Sequence, residues 1–167
     1  HKHHGYRYIG IGPDKKLYIG IGVPCNVCLI NRDTYGVIKR INLDGTSLET
    51  FATGIRNTMG FDWHPITGDL WFNDHGRDWL GDDIPSDELN HAPIKGLDFG
   101  FPYCHQGDLS DPEFGGKIPC DSFTPPKLNH GAHVAPNGLR FYSGNTFPDK
   151  YKNSIFIAQH GSWNRTV

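Results

Sequence analysis

Glycine and proline constrain this chain more than any other feature. The sequence contains 21 glycines and 12 prolines among 167 residues, and they recur too often to leave room for long helices. Apolar residues at helical spacing are almost absent, whereas short runs rich in Ile, Tyr, Phe and Trp recur between turn residues. The sequence therefore predicts an all-β chain of short strands joined by tight turns.

Four antiparallel hairpins are predicted, because in each case two apolar runs flank a turn that contains Pro, Asp, Gly or Asn. The four turns read GPDKK, DGT, PITGD and NTFPDKYKN, and the hairpins around them cover residues 6–22, 36–52, 59–74 and 139–160. We expect each one to form as strand, turn and strand.

Three of these hairpins share one pattern, in which the second strand opens with Leu-Tyr-Ile, Leu-Trp-Phe or Ile-Phe-Ile. Repetition at intervals of tens of residues is typical of β-propeller blades rather than of a sandwich. Between Asp78 and Pro136 the strand pattern is weak, while Asp, Gly, Pro and Cys are frequent. We therefore expect roughly three propeller blades, interrupted by a long acidic, Cys-containing loop insertion of functional importance.

Charge and length limit the partners and the organisation of the chain. Sixteen Lys and Arg residues against 18 Asp and Glu give no basic footprint for nucleic acid, and no apolar run approaches the roughly 20 residues of a membrane span.

The chain opens on HKHH without a methionine and stops shortly after an apolar strand. We expect a single partial propeller domain over residues 1–167, truncated at both ends; a remnant of a purification tag is the alternative for HKHH.

The four cysteines predict two disulfides. Cys25 and Cys28 have the CxxC spacing of redox and zinc motifs, but no second CxxC follows. An even count in a loop-rich chain favours the pairs Cys25 with Cys28 and Cys104 with Cys120, although spacing alone leaves the connectivity open. Disulfides in turn predict an exported protein, either periplasmic or secreted.

Polar residues at the ends of the third hairpin suggest ligand chemistry. Arg56 and Asn57 come just before a strand, and a guanidinium beside an amide suits a planar, carboxylate-bearing ligand. The alternative is that Arg56 forms a rim ion pair and Asn57 caps a turn. After the hairpin, an acidic loop offers oxygen ligands for a hard cation such as Ca²⁺, or is a solvated loop; these residues are Asp74, Asp78, Asp82, Asp83, Asp87, Glu88 and Asn90.

Two of the ten histidines are candidates for the same site. His4 precedes the first hairpin, and imidazole is the common general base near neutral pH. His133 precedes the strand LRFYSG, where we expect it to face the propeller mouth and contact a cofactor, unless it is an ordinary loop histidine.

The residues that carry these patterns resemble a known family. The strings HGYRYIGIGPDKKLYIGIGVPCNVC, GIRNTMGFDWHPITGDLWFNDHGRDWLGDDIPSDELN, FGFPYCHQGD and FIAQHGSWNR occur in order over nearly the whole chain. They resemble soluble pyrroloquinoline quinone (PQQ) sugar dehydrogenases, in the branch that resembles L-sorbosone dehydrogenase. The resemblance implies a six-bladed β-propeller with PQQ and Ca²⁺ in a central cleft, of which this chain corresponds to about half.

The resemblance also implies a role for particular residues. His4, nine residues before the proline of the GPD turn, corresponds to the catalytic histidine, and Arg56 and Asn57 correspond to the pair that contacts the quinone, with Arg56 also acting in catalysis. The backbone carbonyls of Gly76 and Arg77 correspond to ligands of the PQQ-associated Ca²⁺. A second, structural Ca²⁺ is implied by two further ligands, the Glu88 side chain and the Phe99 carbonyl.

The chain departs from the family pattern at two places. Arg77 stands where a proline is frequent, and the loop from there to Glu88 is longer than in glucose-oxidising relatives. The lysine and arginines that grip the PQQ carboxylates in relatives have no counterpart that we can place in this chain.

The resemblance therefore implies an oxidoreductase that oxidises an aldose or related sugar or aldehyde with hydride transfer to PQQ, and that passes electrons to an external acceptor. The alternatives are a non-catalytic carbohydrate- or protein-binding propeller and a calcium-dependent lactonase-type hydrolase. We also expect the chain by itself to self-associate through exposed blade faces, and to be a poor enzyme.

Overall fold

The computed structural model describes residues 3–166. Within that range the chain is built from short β-strands and two 3₁₀ turns, Cys120–Ser122 and Asp149–Tyr151. None of the helical segments in residues 3–166 has the length and apolar character needed to cross a membrane. The strands, in chain order, are β1 Ile9–Ile11, β2 Lys16–Ile21, β3 Val37–Asn42, β4 Glu49–Thr53, β5 Phe61–Trp63, β6 Leu70–Asp74, β7 Ser86–Ala92, β8 Leu97–Asp98, β9 Cys104–His105, β10 Leu109–Ser110, β11 Leu128–Ala132, β12 Pro136–Phe141 and β13 Ile155–Gln159.

The first sheet has the order β1-β2-β3-β4-β8. Its first four strands form an antiparallel meander, and β8 adds to β4 in parallel. The hairpins predicted around GPDKK and DGT are confirmed as β1–β2 and β3–β4. In the GPDKK turn Lys15 has a positive φ of 58°, and the Lys15 amide donates to the Gly12 carbonyl at 2.9 Å, which closes the reversal.

The second sheet has the order β11-β7-β6-β5, and it corrects the prediction for the region after Asp78. The hairpin around PITGD is confirmed as β5–β6, but β7 and β11 continue the meander inside the segment expected to have little strand structure. The sequence of β7, SDELNHA, lacks apolar alternation because it carries Asp87, Glu88 and Asn90, residue types that are depleted in strands. The inserted part is therefore shorter and lies mainly between β7 and β11.

The last predicted hairpin is confirmed as β12–β13, the start of a third unit. The structure thus contains two four-stranded meanders and one hairpin of the next, which agrees with the predicted partial propeller. Strand β12 packs against β5 at close range: a Cβ on Gly60 would lie 2.0 Å from the Asn137 carbonyl oxygen. The rings of Tyr8 and Phe61 lie 4.8 Å apart and connect the first unit to the second. The first strands of successive units therefore lie next to each other.

Aromatic side chains fill the space between the first two sheets. The ring of Tyr18 makes edge contacts with Phe51 at 5.3 Å and with Trp63 at 5.1 Å, while Phe72 meets Phe99 at 4.9 Å. Such edge-to-face pairs contribute about 0.5–1.5 kcal/mol beyond the burial of their area. The core therefore holds the two sheets in a fixed relation, and with them the loops at their ends.

Both predicted disulfides are present, Cys25 with Cys28 and Cys104 with Cys120. The second disulfide joins cysteines that are 16 positions apart and closes a loop within the insertion. By the loop-entropy estimate, such a disulfide stabilises the fold by about 3 kcal/mol. That loop contains β9–β10 and carries residues that contact the segment after β6.

We predict that Gly60→Ala destabilises the fold, because the new methyl group would overlap the β12 backbone. Overpacking costs about 1–3 kcal/mol, which at this chain length lowers the melting temperature by at least about 3 °C. Gly138→Ala is the matched control, since its Cβ would meet nothing closer than Ala158 at 3.8 Å. Thermal melting followed by circular dichroism measures both; equal melting temperatures for the two variants would contradict this account of the packing between units.

Candidate functional site

A cavity of about 160 Å³ opens at one end of the three units. Its walls come from the segments that precede the first strand of each unit and those that follow the second strand, because antiparallel pairing brings these two points to the same end of a hairpin. The lining residues are His4, Arg56, Asn57, His75, Gly76, Asp78, Asp87, His133, Ala135, Gly161, Ser162, Trp163 and Asn164. Seven residues singled out from the sequence thus lie around one space: His4, Arg56, Asn57, Gly76, Asp78, Asp87 and His133.

The Asp74 carboxylate fixes the backbone of the Arg56–Asn57 pair. Its two oxygens accept hydrogen bonds from the Arg56 amide at 2.8 Å and from the Asn57 amide at 2.6 Å. Asp74 is the last residue of β6, so the end of one strand holds the segment that leads into its partner β5. The side chains of Arg56 and Asn57 therefore leave the backbone in defined directions, and both line the cavity.

Arg56 is a buried cation held from two sides. Its Nε and Nη2 atoms donate to the backbone and side-chain oxygens of Asn26, both at 2.9 Å, and Nη2 also contacts the Asp78 carboxylate at 3.1 Å. The side chain is 6% exposed, and a charge so buried requires partners of this kind. Asn26 lies inside the Cys25–Cys28 loop, which thereby shapes the cation site.

Asn57 and His75 orient each other. The Asn57 amide nitrogen donates to Nδ1 of His75 at 3.2 Å, and Nε2 of His75 donates to the Pro136 carbonyl at 3.1 Å. These contacts define a neutral His75 with its proton on Nε2. The Asn57 Oδ1 atom is buried and has no hydrogen-bond partner among residues 3–166.

His4 presents one unprotonated nitrogen. Its Nδ1 atom donates to the Val23 carbonyl at 2.8 Å, so a neutral ring carries its lone pair on Nε2. Burial, and secondly the nearby Arg56 charge, lowers the pKa of His4 to about 4. A Cβ on Gly22 would lie 2.7 Å from the His4 Cβ and 2.9 Å from the Asn57 Oδ1, so only glycine lets these side chains approach as they do.

His133 and the acidic loop close another side of the cavity. His133 is buried, and its Nε2 atom donates to the Gly81 carbonyl at 2.8 Å, which leaves Nδ1 as the acceptor of a neutral ring.

The segment after β13 is tied to that loop. Asn164 donates to Asp78 at 2.8 Å, Arg165 pairs with Asp83 at 3.1 Å, and the Thr166 amide donates to Asp82 at 3.1 Å. Three of the carboxylates considered as metal ligands thus hold a wall of the cavity.

A second, smaller cavity of about 10 Å³ adjoins the first and shares Arg56, His75 and Gly76 with it. Glu88 and Phe99, both predicted at one calcium site, line it together with Asp74 and Gly76. By size it holds about one water molecule or a single ion. The structure thus brings the two predicted ligands to one small space.

Three carboxylates are buried around this space, those of Asp74, Asp87 and Glu88, and within residues 3–166 none forms an ion pair with a basic side chain. Backbone amides and Asn90 donate to them instead, for example Gly76 to Asp87 at 2.7 Å and Gln106 to Glu88 at 2.6 Å. Burial raises the pKa of Asp74 and of Glu88, and for Glu88 the neighbouring Asp74 charge adds to the rise. The part of the chain from 3 to 166 contains no cluster of three or more His, Cys, Asp or Glu side chains arranged as a metal site.

The Arg77 side chain points away from the main cavity into a buried ionic network. It donates to Asp111 at 2.7 Å and to Glu113 at 3.0 Å, and His105 lies 2.8 Å from the same Asp111 oxygen. Burial opposes ionisation of Asp111, but hydrogen bonds from His105 and Arg77 lower the pKa of Asp111 to about 2. Arg77 therefore anchors the segment after β6 to the disulfide-closed insertion, and only its backbone remains for a metal.

Sequence reasoning missed three residues at the site. Asn26 lies between Cys25 and Cys28, where the CxxC spacing predicts a role for the cysteines alone. His75 is one of ten histidines, and its spacing to the others matches no metal-binding motif. Trp163 lies in GSWNR, a string that entered only through the resemblance. For His75 the adjacency to Asp74 and Gly76 was a usable signal; for Asn26 only the fold brings it to Arg56.

Comparison with known proteins agrees with this arrangement. A model of the family described as Glucose / Sorbosone dehydrogenase matches residues 1–162. The chain belongs to this family. An uncharacterized protein of Borreliella burgdorferi is 43% identical over 165 residues, which is 98% of this chain and 43% of that protein.

Solved structures resemble this glucose/sorbosone dehydrogenase family member as well. The holo form of the pyranose dehydrogenase PQQ domain from Coprinopsis cinerea is 17% identical with a TM-score of 0.79, covering 99% of this chain and 50% of that chain. The PQQ-bound aldose sugar dehydrogenase from Streptomyces coelicolor is 25% identical with a TM-score of 0.64, covering 90% of this chain and 40% of that chain. The chain spans about half the length of these relatives, and the likeness supports the partial propeller fold.

We predict that the imidazole of His4 titrates near pH 4, which ¹H–¹⁵N NMR of the ring measures directly. His4 faces Arg56 and His75, so Arg56→Met should raise the pKa of His4 towards its ordinary 6.5, whereas Arg140→Met, at an exposed arginine, should not. Between pH 4 and pH 6.5 His4 binds a proton in the unfolded chain but not in the folded one. The free energy of unfolding therefore decreases as pH falls from 6.5 towards 4. A His4 titration near 6.5 in the unaltered chain would contradict the buried, neutral imidazole.

Proposed function

We propose that the protein to which this chain belongs is a PQQ-dependent dehydrogenase that oxidises an aldose or a related sugar or aldehyde. One observation carries the proposal: His4 presents an unprotonated Nε2 in the same cavity as the Arg56 guanidinium and the Asn57 amide. The printed names of the solved neighbours, a pyranose dehydrogenase PQQ domain and a PQQ-bound aldose sugar dehydrogenase, support this choice.

The residues present fit a planar, anionic cofactor. Arg56 has five N–H donors, and its Nη1 atom makes only one long contact, 3.4 Å to the His75 carbonyl, which leaves hydrogen-bonding capacity within residues 3–166. The Asn57 Oδ1 atom, a buried acceptor without a partner within residues 3–166, can accept from an N–H or O–H group of a ligand. Arg56, Asn57 and His133 would hold PQQ, and when bound it would supply the two-electron oxidant that side chains cannot provide.

His4 would act as the general base. Its Nε2 takes the proton from the sugar hydroxyl that is oxidised, while its Nδ1 keeps its hydrogen bond to Val23 and so fixes the ring. A pKa of about 4 keeps this nitrogen unprotonated at neutral pH, although it also makes His4 a weak base. The Arg56 charge, buried and fixed by Asn26, favours negative charge in the cavity.

Calcium is the second proposed cofactor. Gly76 and Arg77 would offer backbone carbonyls at the main cavity, and Glu88 with the Phe99 carbonyl would form the structural site. The small space lined by Glu88 and Phe99 supports a cation there, since the buried carboxylates near it have no basic partner within residues 3–166.

Location, electron transfer and assembly follow from the same proposal. Two disulfides favour an exported protein, periplasmic or secreted. An external acceptor must remove the electrons after each turnover. The β12–β13 hairpin carries an open groove of about 390 Å³ beside the half-exposed Phe156, which favours self-association of the chain by itself.

We predict that His4→Gln in the complete protein lowers turnover of glucose by about 10²-fold or more, because general base catalysis contributes that much. Binding of PQQ, followed by its absorption spectrum, should change little. His3→Gln, at the exposed neighbour, is the control and should keep full turnover. Full activity of His4→Gln would show that another group removes the proton.

We predict that Ca²⁺ raises the melting temperature of the chain and that EDTA reverses the effect. A ligand at 100 times its Kd adds about 2.7 kcal/mol to stability. Glu88→Gln should remove most of this gain, whereas Asp149→Asn, at an exposed carboxylate, should retain it. The same calcium response in both variants would place the ion elsewhere.

A further inference from the structure

Two tryptophans stand exposed beside the main cavity. The indole rings of Trp79 and Trp163 meet edge to face with their centroids 5.4 Å apart, and they are 67% and 72% exposed. Trp163 lines the cavity, whereas Trp79 extends the aromatic surface outwards from it. Single exposed apolar side chains are ordinary, but two large rings in contact at the mouth of a polar cavity form a patch that marks binding sites.

The backbone around both rings is tied to the cavity. Trp79 adopts a positive φ of 70°, which is unusual for a bulky residue and is maintained only where surrounding contacts impose it. Asp78, directly before it, pairs with Arg56 and accepts from Asn164, directly after Trp163. The network that fixes Arg56 therefore also fixes the position of the two rings.

The other two tryptophans of the chain behave differently. Trp63 is partly buried among Tyr18 and Phe61, and Trp71 stacks on His91 at 4.4 Å. Their rings have protein partners on their faces, so core packing accounts for them. Trp79 and Trp163 have only each other as ring partners within residues 3–166.

We propose that Trp79 and Trp163 form a stacking surface for a pyranose ring, the second sugar unit of a saccharide whose first unit enters the cavity. The inference rests on the proposed function and adds disaccharides and longer saccharides to its substrate class. The C–H groups on one face of a pyranose carry partial positive charge, which the negative face of an indole attracts. The indole N–H groups can donate to sugar hydroxyls.

We assign the second pyranose ring to the rim because the rim and the interior of the cavity differ in polarity. The cavity interior presents Arg56, Asn57, Asp78 and three histidines, which suit the many hydroxyls of the sugar to be oxidised. The rim presents apolar faces, which suit a ring that is held but does not react. An acyclic polyol has no flat C–H face and should not use this surface.

The experiment uses the indole N–H signals of the 167-residue chain, which contains four tryptophans. Trp79→Phe and Trp163→Phe assign their two signals in ¹H–¹⁵N spectra, and the signals of Trp63 and Trp71 serve as internal controls for the fold. Cellobiose, maltose and, as the acyclic control, sorbitol are titrated in the absence of PQQ. We expect the disaccharides to shift only the Trp79 and Trp163 signals, and sorbitol to shift none.

Variants then measure the contribution of stacking. Trp163→Ala should raise the Kd for cellobiose by about three- to tenfold, while Trp163→Phe, which keeps a ring, should retain most of the affinity. Because no PQQ is present, these results do not depend on turnover, so a His4→Gln variant that keeps full turnover and still shows the shifts would overturn only the catalytic proposal. Absence of shifts with either disaccharide would overturn the stacking surface, as would shifts at Trp163 with PQQ alone, which would assign the ring to the cofactor.

Discussion

The site depends on one carboxylate bound to two backbone amides. Asp74 ends β6 and accepts from the amides of Arg56 and Asn57 at 2.8 and 2.6 Å, so the geometry of a single hairpin determines where both side chains begin. From these fixed positions the two side chains hydrogen-bond to other loops. Arg56 donates to Asn26 and Asp78, and Asn57 donates to His75. This arrangement explains a hairpin end with so many polar residues, since other loops supply partners for Asp74, for Arg56 and for the Asn57 amide nitrogen.

The same region concentrates buried negative charge. Asp74, Asp87 and Glu88 lie close together, and Arg56, the nearest buried cation, is already paired with Asp78. Burying carboxylates without basic partners is costly unless they take up protons or a cation. Calcium would satisfy this requirement and would explain why a propeller sheet tolerates the polar strand β7.

Arg77 shows how a departure from a family pattern is accommodated. The resemblance puts a proline at this position in many relatives, and a proline restricts the backbone by its ring. Here a side chain does the anchoring instead, through Asp111 and Glu113 in the insertion that Cys104 and Cys120 close. The long insertion is thus connected to the site physically, through a buried ion pair and a disulfide.

The sequence by itself determined the local structure. Turn residues with fixed dihedral preferences, flanked by apolar runs, were enough to place four hairpins. An even cysteine count favoured the two disulfides, but only the structure decided which cysteines pair. The sequence did not determine β7, because a strand whose side chains are Asp87, Glu88 and Asn90 has no apolar alternation, and only pairing with β6 and β11 makes it a strand. The resemblance selected His4, Arg56 and Asn57, and the fold brings them to one cavity, although their roles stay predictions. The tertiary structure alone decided the partners, such as Asn26 for Arg56 and Trp79 for Trp163, since these residues are far apart in the chain and meet only when the ends of the converging units come together.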